Sequence, residues 1–185
     1  MGNAVRYYTD AEIANIQNHF YYKDGHLFWK DVRFRREKGP LGTLNSRGYL
    51  TLNLRFLEKP SFTTVHRIVW VVCYGENAHG QVDHINGCRI DNRLENLRVC
   101  SRSQNRMNSR PDLKTKHTYK GITDKKSYYE ASITKSGKKE YLGSSSNPKE
   151  AALIYNYAAE RLFASYARFN KVFEDVEKGV LSGET

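Results

Sequence analysis

The chain has 185 residues, and its 30 lysines and arginines exceed its 20 aspartates and glutamates, so its formal net charge is +10. No apolar run approaches the roughly 20 residues that cross a bilayer, and charged residues interrupt the first dozen positions, so we expect neither membrane insertion nor secretion. Three widely spaced cysteines, Cys73, Cys88 and Cys100, fit neither a disulfide framework nor a zinc site, which favours reduced thiols in a cytoplasmic protein. The basic charge, interleaved with 13 tyrosines and 8 phenylalanines, favours a polyanionic partner, in the first place nucleic acid.

The N-terminal sixty residues are predicted to be rich in β structure. Thr9 and Glu12 form a capping-box pattern that opens a short helix. Residues 20–29 are predicted to form a hairpin, because Asp24-Gly25 supplies the positive φ angles of a tight turn. Arg33–Lys38 follows as a basic loop that either contacts DNA or is merely solvated.

A strand, its partner and a helix are predicted next. Residues 48–54 alternate between apolar and polar side chains, which indicates a half-buried strand. Residues 63–67 are its candidate partner. The apolar run 68–74 is predicted to be a helix that ends near Gly75.

The C-terminal third is predicted to fold as a three-stranded sheet packed on one helix. A basic segment with almost no apolar side chains, residues 108–118, indicates a linker before it. Three strands are predicted, at residues 119–123, 128–134 and 138–143. Asn147-Pro148 then begins a helix, because Asn is a good N-cap and Pro suits the first helical position.

The chemistry of the chain is concentrated between residues 81 and 106. Asp83 and His84 are adjacent on a predicted short strand, so their side chains leave the backbone on opposite sides. A carboxylate can hold a hard divalent cation while the neighbouring imidazole acts as a base. A reversal at Asn86-Gly87 allows the chain to return with Asn96, and a helix from about residue 101 presents Asn105 back toward Asp83.

These residue types favour one kind of metal over another. One carboxylate, one histidine and two asparagines form a poor zinc site, because zinc prefers histidine and cysteine. They form a reasonable site for Mg²⁺ or Mn²⁺, completed by water and by phosphate oxygens of a substrate. The set is therefore typical of metal-assisted phosphodiester cleavage.

Four segments in this region resemble the HNH homing-type endonucleases of phages and introns: VHRIVW at 65–70, QVDHING at 81–87, DNRLENLRV at 91–99 and SQN at 103–105. The resemblance covers roughly residues 63–108 and includes the Asp-His pair and both later asparagines in order. It implies a ββα-metal (His-Me finger) nuclease core.

The resemblance also implies a role for each polar residue. His84 would be the general base that deprotonates water, and Asn96 would accept a hydrogen bond from the His84 ring. Asp83 and Asn105 would bind one divalent metal ion, Mg²⁺ or Mn²⁺, and the products would carry 3′-hydroxyl and 5′-phosphate ends. Because His84 must be neutral, activity is expected to fall below its pKa, ordinarily near ~6.5.

Two residues upstream of this region have open roles. His66 precedes an apolar stretch and is either a structural hydrogen-bonding residue or a DNA contact. Arg67 is a candidate contact to DNA phosphate.

The segments YKGI at 119–122, YEASI at 129–133, KEYLG at 139–143, EAA at 150–152 and YARFN at 166–170 resemble the APETALA-type (ethylene-response-factor) DNA-binding domain. That family lays a three-stranded sheet into the major groove and supports it with a helix. Tyr129 replaces the usual Trp, and Thr123 and Thr134 replace base-reading Arg, so phosphate and shape recognition are expected more than base readout. The candidate DNA contacts in this region are Lys120, Lys125, Lys126, Tyr128, Ser132, Thr134 and Lys138.

The sequence therefore predicts an α+β protein with a ββα-metal nuclease core and a small sheet-and-helix DNA-binding module. Its predicted parts are a β-rich region at 1–60, the nuclease core at 61–108, a basic linker at 109–118, the APETALA-type domain at 119–172 and an acidic tail at 173–185. We expect a metal-dependent endonuclease that acts on double-stranded DNA, with no small-molecule cofactor, in the cytoplasm of a phage-infected bacterial cell. Two alternatives remain open, a non-catalytic DNA-binding regulator with a vestigial nuclease fold and a ribonuclease.

Overall fold

A computed structural model describes residues 6–31, 39–109 and 119–172. The chain divides into two compact units, Met1–Asn105 and Arg106–Thr185. The predicted basic loop Arg33–Lys38, the linker from residue 110 to 118 and the acidic tail 173–185 lie outside the described residues. In the described ranges, no helix has the length and apolar character that crossing a membrane requires.

The first unit begins with a helix and a hairpin, as predicted. Helix α1 spans Asp10–His19, and the capping box is complete, because the Thr9 and Glu12 side chains each bond the other residue's backbone N–H. Strands β1 (Phe20–Lys23) and β2 (His26–Trp29) pair antiparallel around Asp24-Gly25. Both turn residues have positive φ angles, 48° and 83°.

A three-stranded sheet and a buried helix follow. Strands β3 (Thr43–Leu44), β4 (Leu50–Leu54) and β5 (Ser61–Thr64) form an antiparallel sheet with β4 in the centre. Helix α2 spans Val65–Tyr74 and ends at Gly75, which has a φ of 68°. The helix begins three residues earlier than predicted and β5 is correspondingly shifted, because Val65 and His66 are already buried on the apolar side of α2.

The predicted ββα arrangement is present at the end of this unit. Strand β6 (Gln81–His84) pairs antiparallel with β7 (Leu97–Cys100), and the loop between them ends in a 3₁₀ turn at Leu94–Asn96. Helix α3 (Arg102–Met107) follows directly. The α+β class is therefore confirmed, and the register brings Asp83 opposite Arg98 on the two strands.

The apolar side chains of the first unit form one core. Ile16 of α1, Phe20 of β1, Leu54 of β4 and Ile68 of α2 are fully buried, and the same cluster includes Val82 of β6. Because the core is continuous from Tyr8 to Leu97 among the described residues, the predicted division at residue 60 is not a break in packing. The N-terminal region and the ββα segment share one hydrophobic interior.

The second unit contains the predicted three strands and one helix. Strands β8 (Ile122–Asp124), β9 (Tyr129–Lys135) and β10 (Lys138–Ser145) form an antiparallel sheet with β9 in the centre. Helix α4 (Pro148–Phe163) starts at an Asn147 cap, whose side chain accepts from the Lys149 N–H at 2.9 Å. The helix buries Ala151, Tyr155 and Ala159 against Ala131 and Ile133 of β9, which lie on one face of the sheet.

Candidate active site

His84 ends strand β6 and is held by a buried asparagine. Its side chain is 3% exposed, and Asn92, 1% exposed, lies in the loop that follows β6. His84 Nε2 and Asn92 Oδ1 are 3.0 Å apart. Because an amide oxygen only accepts hydrogen bonds, this contact favours the neutral tautomer with the proton on Nε2 and the lone pair on Nδ1.

The environment of His84 favours its uncharged form. Burial lowers the pKa of His84, and this effect exceeds the opposing effects of the Asn92 hydrogen bond and of the Asp83 and Asp91 carboxylates. The positive charge of Arg89 lowers the pKa further. A base with this pKa is ready to accept a proton at neutral pH.

Asn96 does not make the contact that the sequence predicts for it. Within the described residues, its side-chain amide accepts from the Asn86 N–H at 2.9 Å and donates to the Asp91 carbonyl at 2.8 Å. Its backbone carbonyl accepts from Ile85 N at 2.8 Å, which continues the β6–β7 pairing by one residue. Asn96 therefore closes the loop after β6, and Asn92 is the residue that bonds His84.

The loop that contains Asn92 also contacts the N-terminal β1–β2 hairpin. Arg93 forms a bidentate pair with Asp91, with two N···O distances of 2.9 Å, and this guanidinium holds the pKa of Asp91 well below its usual range. The hydroxyl of Tyr22 on β1 accepts from Leu94 N at 3.3 Å. A Cβ at Gly25 would come within 2.9 Å of Arg93, so the β1–β2 turn packs directly against the loop that contains Asn92.

Asp83 lies on the other side of β6 and pairs with Arg98. Arg98 Nη2 and Nε lie 3.0 and 3.2 Å from Asp83 Oδ2, and the two side chains are 15% and 9% exposed. Gln81 shares a strand face with Asp83, because side chains alternate along a strand. Asn105 of α3 donates to Gln81 Oε1 at 2.8 Å, so α3 is anchored to the strand face that carries Asp83.

The predicted ligands fit a hard divalent cation. Asn105 uses its amide nitrogen for Gln81, so its oxygen, the atom that such cations prefer, is not consumed by that bond. Asp83 offers a carboxylate that a cation would share with Arg98. Among the residues that the structure describes, no three His, Cys, Asp or Glu side chains form a metal cluster, so water and phosphate oxygens would have to complete the coordination.

The His66 ring packs against the His84 ring. The two rings are 4.8 Å apart at 73°, and the Tyr49 ring lies 5.5 Å from His66 and 6.1 Å from His84. His66 is 7% exposed and its Nε2 lies 3.3 Å from Thr64 Oγ1, so it has the structural role rather than that of a DNA contact. Burial, with smaller effects of His84 and Arg67, lowers its pKa to about 3.

Arg67, the predicted phosphate contact, lies on helix α2, and that role stays a prediction. Its guanidinium is half-buried and donates to the Arg6 carbonyl at 3.3 Å. Burial lowers its pKa, which indicates a desolvated cation that lacks a carboxylate partner among the described residues.

Two of the predicted DNA contacts in the second unit are engaged inside it. The Lys120 ammonium donates to the carbonyls of Met107 and Arg106, and burial lowers its pKa to about 8. Ser132 is 6% exposed and its hydroxyl donates to the Gly121 carbonyl at 3.4 Å. Both side chains direct polar atoms at the protein's own backbone, and their role as DNA contacts stays a prediction.

The other predicted contacts of this unit are accessible. Tyr128 is 42% exposed, and the Lys125 side chain is also 42% exposed, 3.5 Å from Glu130. Lys126, Thr134 and Lys138 are exposed as well. Tyr141, which the sequence did not indicate as a candidate contact, is 64% exposed and lies opposite Ser132, on the face of the sheet away from Ala131 and Ile133.

Sequence reasoning also missed Asn92 and Arg98. The pair Asp91-Asn92 has the composition of an ordinary turn, and only the closure of the loop brings Asn92 to His84. Arg98 could have been found from strand register, since it lies opposite Asp83 once the hairpin is aligned.

Two comparisons with known proteins concern this region. Residues 63–107 match the family model described as HNH endonuclease. A segment of 92 residues, 49% of the chain, is 34% identical to a protein of Acanthamoeba polyphaga mimivirus described as an uncharacterized HNH endonuclease. The chain spans about half, 47%, of the length of that curated relative. No solved structure matches the chain.

These matches show that part of the chain is similar to HNH endonucleases, in agreement with the resemblance seen in the sequence. The family match ends at residue 107, so the APETALA-type resemblance of residues 119–172 stays a prediction.

The low pKa of His66 predicts a loss of stability in mild acid. In the unfolded chain this histidine takes a proton near pH 6.5, whereas in the folded protein it does so only near pH 3. The free energy of unfolding is therefore unaffected by this group well above pH 6.5. It decreases as the pH falls, by about 1.4 kcal/mol at pH 5.5, because only the unfolded chain takes up the proton there. Urea unfolding at pH 7.5 and 5.5 measures this loss.

In His66→Gln the difference in unfolding free energy between the two pH values should be smaller than in the wild type. Replacing the exposed hairpin histidine, His26→Gln, should leave the difference unchanged. An equal loss in the wild type and His66→Gln would contradict the prediction.

Proposed function

We propose that this protein is a metal-dependent DNA endonuclease that hydrolyses phosphodiester bonds of double-stranded DNA. The observation that carries the proposal is the buried, uncharged His84, whose Nε2 is held by Asn92 in a ββα segment. Support also comes from the match of residues 63–107 to the HNH endonuclease family and from the similarly described viral relative.

The proposed reaction uses His84 as the general base. With the proton on Nε2, Nδ1 accepts a proton from water as the water attacks phosphorus. The ring then becomes an imidazolium, and Asn92 Oδ1, already 3.0 Å from Nε2, stabilises its positive charge. The P–O3′ bond breaks as the attack proceeds, and the leaving 3′-oxygen takes a proton from solvent while the imidazolium later returns its proton to solvent, which gives 3′-hydroxyl and 5′-phosphate ends.

Asp83 and Asn105 would hold one divalent ion, Mg²⁺ or Mn²⁺, through a carboxylate and an amide oxygen. When bound, the ion supplies positive charge that stabilises the phosphate and the leaving oxygen. Arg98 orients the Asp83 carboxylate, and Gln81 orients the Asn105 amide.

We also propose that the second unit binds DNA through the face of its sheet opposite α4 and the turns beside it. The accessible side chains there combine basic and aromatic character: Lys125, Lys126, Tyr128, Thr134, Lys138 and Tyr141. Such side chains suit phosphate contacts and shape recognition more than base readout. The viral source of the relative supports a site of action inside a virus-infected cell.

The first prediction tests catalysis. Plasmid DNA incubated with the protein and Mg²⁺ or Mn²⁺ should be cleaved, and His84→Ala should be slower by about 10²-fold to 10⁴-fold, because the general base is lost. Gel analysis of the products and sequencing of the ends give the rate and the chemistry. Equal cleavage by both proteins, or cleavage of structured RNA in preference to duplex DNA, would refute the assignment.

A second prediction separates Asn92 from Asn96. Asn92→Ala should lower the single-turnover rate by about tenfold or more, because a hydrogen bond to a charged ring is lost, whereas Asn92→Asp keeps an acceptor and should retain more activity. Nitrogen-15 NMR of His84 should show the Nε2–H form in the wild type and in Asn96→Ala, but a mixture of forms in Asn92→Ala. A His84 spectrum that changes with Asn96 and not with Asn92 would contradict this.

A third prediction concerns the second unit. The double variant Lys126→Ala, Lys138→Ala should bind duplex DNA more weakly, and the slope of log affinity against log salt should fall by nearly two, since each phosphate contact contributes about 0.9. Arg161→Ala removes an exposed cation from helix α4 and should leave the slope unchanged. Fluorescence anisotropy with chelated metal gives both values, and equal slopes in all three proteins would exclude these contacts.

A further inference from the structure

An exposed arginine beside the active site is not used by the roles described above. Arg89 follows the Asn86-Gly87 turn after β6 and is exposed to solvent. Its Nη1 donates to the Arg47 carbonyl at 2.6 Å, and its guanidinium carbon lies 5.0 Å from the centre of the Tyr49 ring. These two contacts hold a side chain that would otherwise sample many conformations.

Tyr49 connects this guanidinium to the catalytic base. The Tyr49 ring packs 6.1 Å from the His84 ring and 5.5 Å from His66, and the Asn45 side chain fixes the Tyr49 backbone by accepting from its N–H at 3.0 Å. The Tyr49 ring therefore lies next to the buried His84, while the Arg89 guanidinium over the same ring is exposed to solvent.

The charge of Arg89 is not neutralised by its neighbours. Asp91, two residues later, is occupied by the bidentate contact with Arg93. Within the described part of the chain Arg89 forms no ion pair, and only one of its five N–H groups is used by the Arg47 carbonyl. A positive charge thus stands beside His84 with donors available for an anion.

We propose that Arg89, held on the Tyr49 ring, binds a backbone phosphate of the DNA strand that His84 attacks. A planar guanidinium matches two phosphate oxygens. Because Arg89 and His84 both contact the Tyr49 ring, binding this phosphate also positions the scissile bond near His84. The inference deepens the proposed nuclease function and rests on it. Arg89 is a substrate-binding residue, and Tyr49 is its positioning residue.

The binding arm of the test uses a labelled DNA duplex with metal chelated, so that cleavage plays no part. Arg89→Ala should bind several-fold more weakly than the wild type at low salt, and the slope of log affinity against log salt should fall by about 0.9, one phosphate contact. Arg55→Ala is the matched control, because it removes an exposed arginine from the turn that follows β4 and should leave the slope unchanged. Equal slopes in the wild type and Arg89→Ala, or no DNA affinity in the wild type, would overturn the inference.

The cleavage arm uses the same duplex with Mg²⁺ or Mn²⁺ under single-turnover conditions. Arg89→Ala should lower the rate at saturating protein by about tenfold or more, and Arg89→Lys should restore binding better than rate, because it keeps the charge but loses the planar fork. Tyr49→Leu keeps Arg89 but removes its support, so its rate should fall while its salt slope stays near the wild-type value. If Tyr49→Leu matches the wild type in rate, the positioning role of Tyr49 is wrong.

The two arms distinguish failure of this inference from failure of the proposed function. If the wild type binds the duplex with a salt slope that depends on Arg89 but never cleaves it, the phosphate site is supported and the nuclease function is refuted. If the wild type cleaves the duplex and Arg89→Ala binds and cleaves it equally well, the nuclease function is supported and the phosphate site is refuted.

Discussion

The hydrogen bond between His84 and Asn92 is the contact on which the arrangement of the active site depends. Both side chains are buried, so the imidazole cannot exchange this partner for water, and the amide oxygen decides which ring nitrogen carries the proton. Within the described residues the Asn92 amide nitrogen is buried and has no hydrogen-bond partner. Leaving a donor unpaired is unfavourable, so the hydrogen bond of the Asn92 oxygen to His84 is made at a cost in stability.

The two sides of strand β6 provide different environments for chemistry. On one side, Asp83 is paired with Arg98 and faces the strand surface to which α3 is anchored, so charge is stabilised there. On the other side, His84 packs against His66 and Tyr49, where burial disfavours charge on either imidazole. Adjacent residues on one strand can therefore serve as a cation ligand and as an uncharged base, because alternation places them in these two environments.

Much of the local structure could be predicted because it depends on short-range chemistry. The capping box at Thr9 and Glu12 and the Asn147 cap each form within one helical turn. The Asp24-Gly25 turn was predictable for the same reason, since positive φ angles are a property of the residues themselves. By contrast, the internal hydrogen bonds of Lys120 and Ser132 could not be predicted, because sequence does not reveal that each side chain meets a backbone carbonyl more than ten residues away.

The sequence by itself determined the α+β class, the order of the elements and the similarity of the segment around Asp83 and His84 to HNH endonucleases. These features follow from periodicity, turn chemistry and residue type, which act over a few positions. Only the tertiary structure decided that Asn92 rather than Asn96 bonds His84, and that the N-terminal region shares a core with the ββα segment. The physical reason is that burial and loop closure bring together side chains from separate parts of the chain, and no local pattern specifies which of two asparagines will meet the ring.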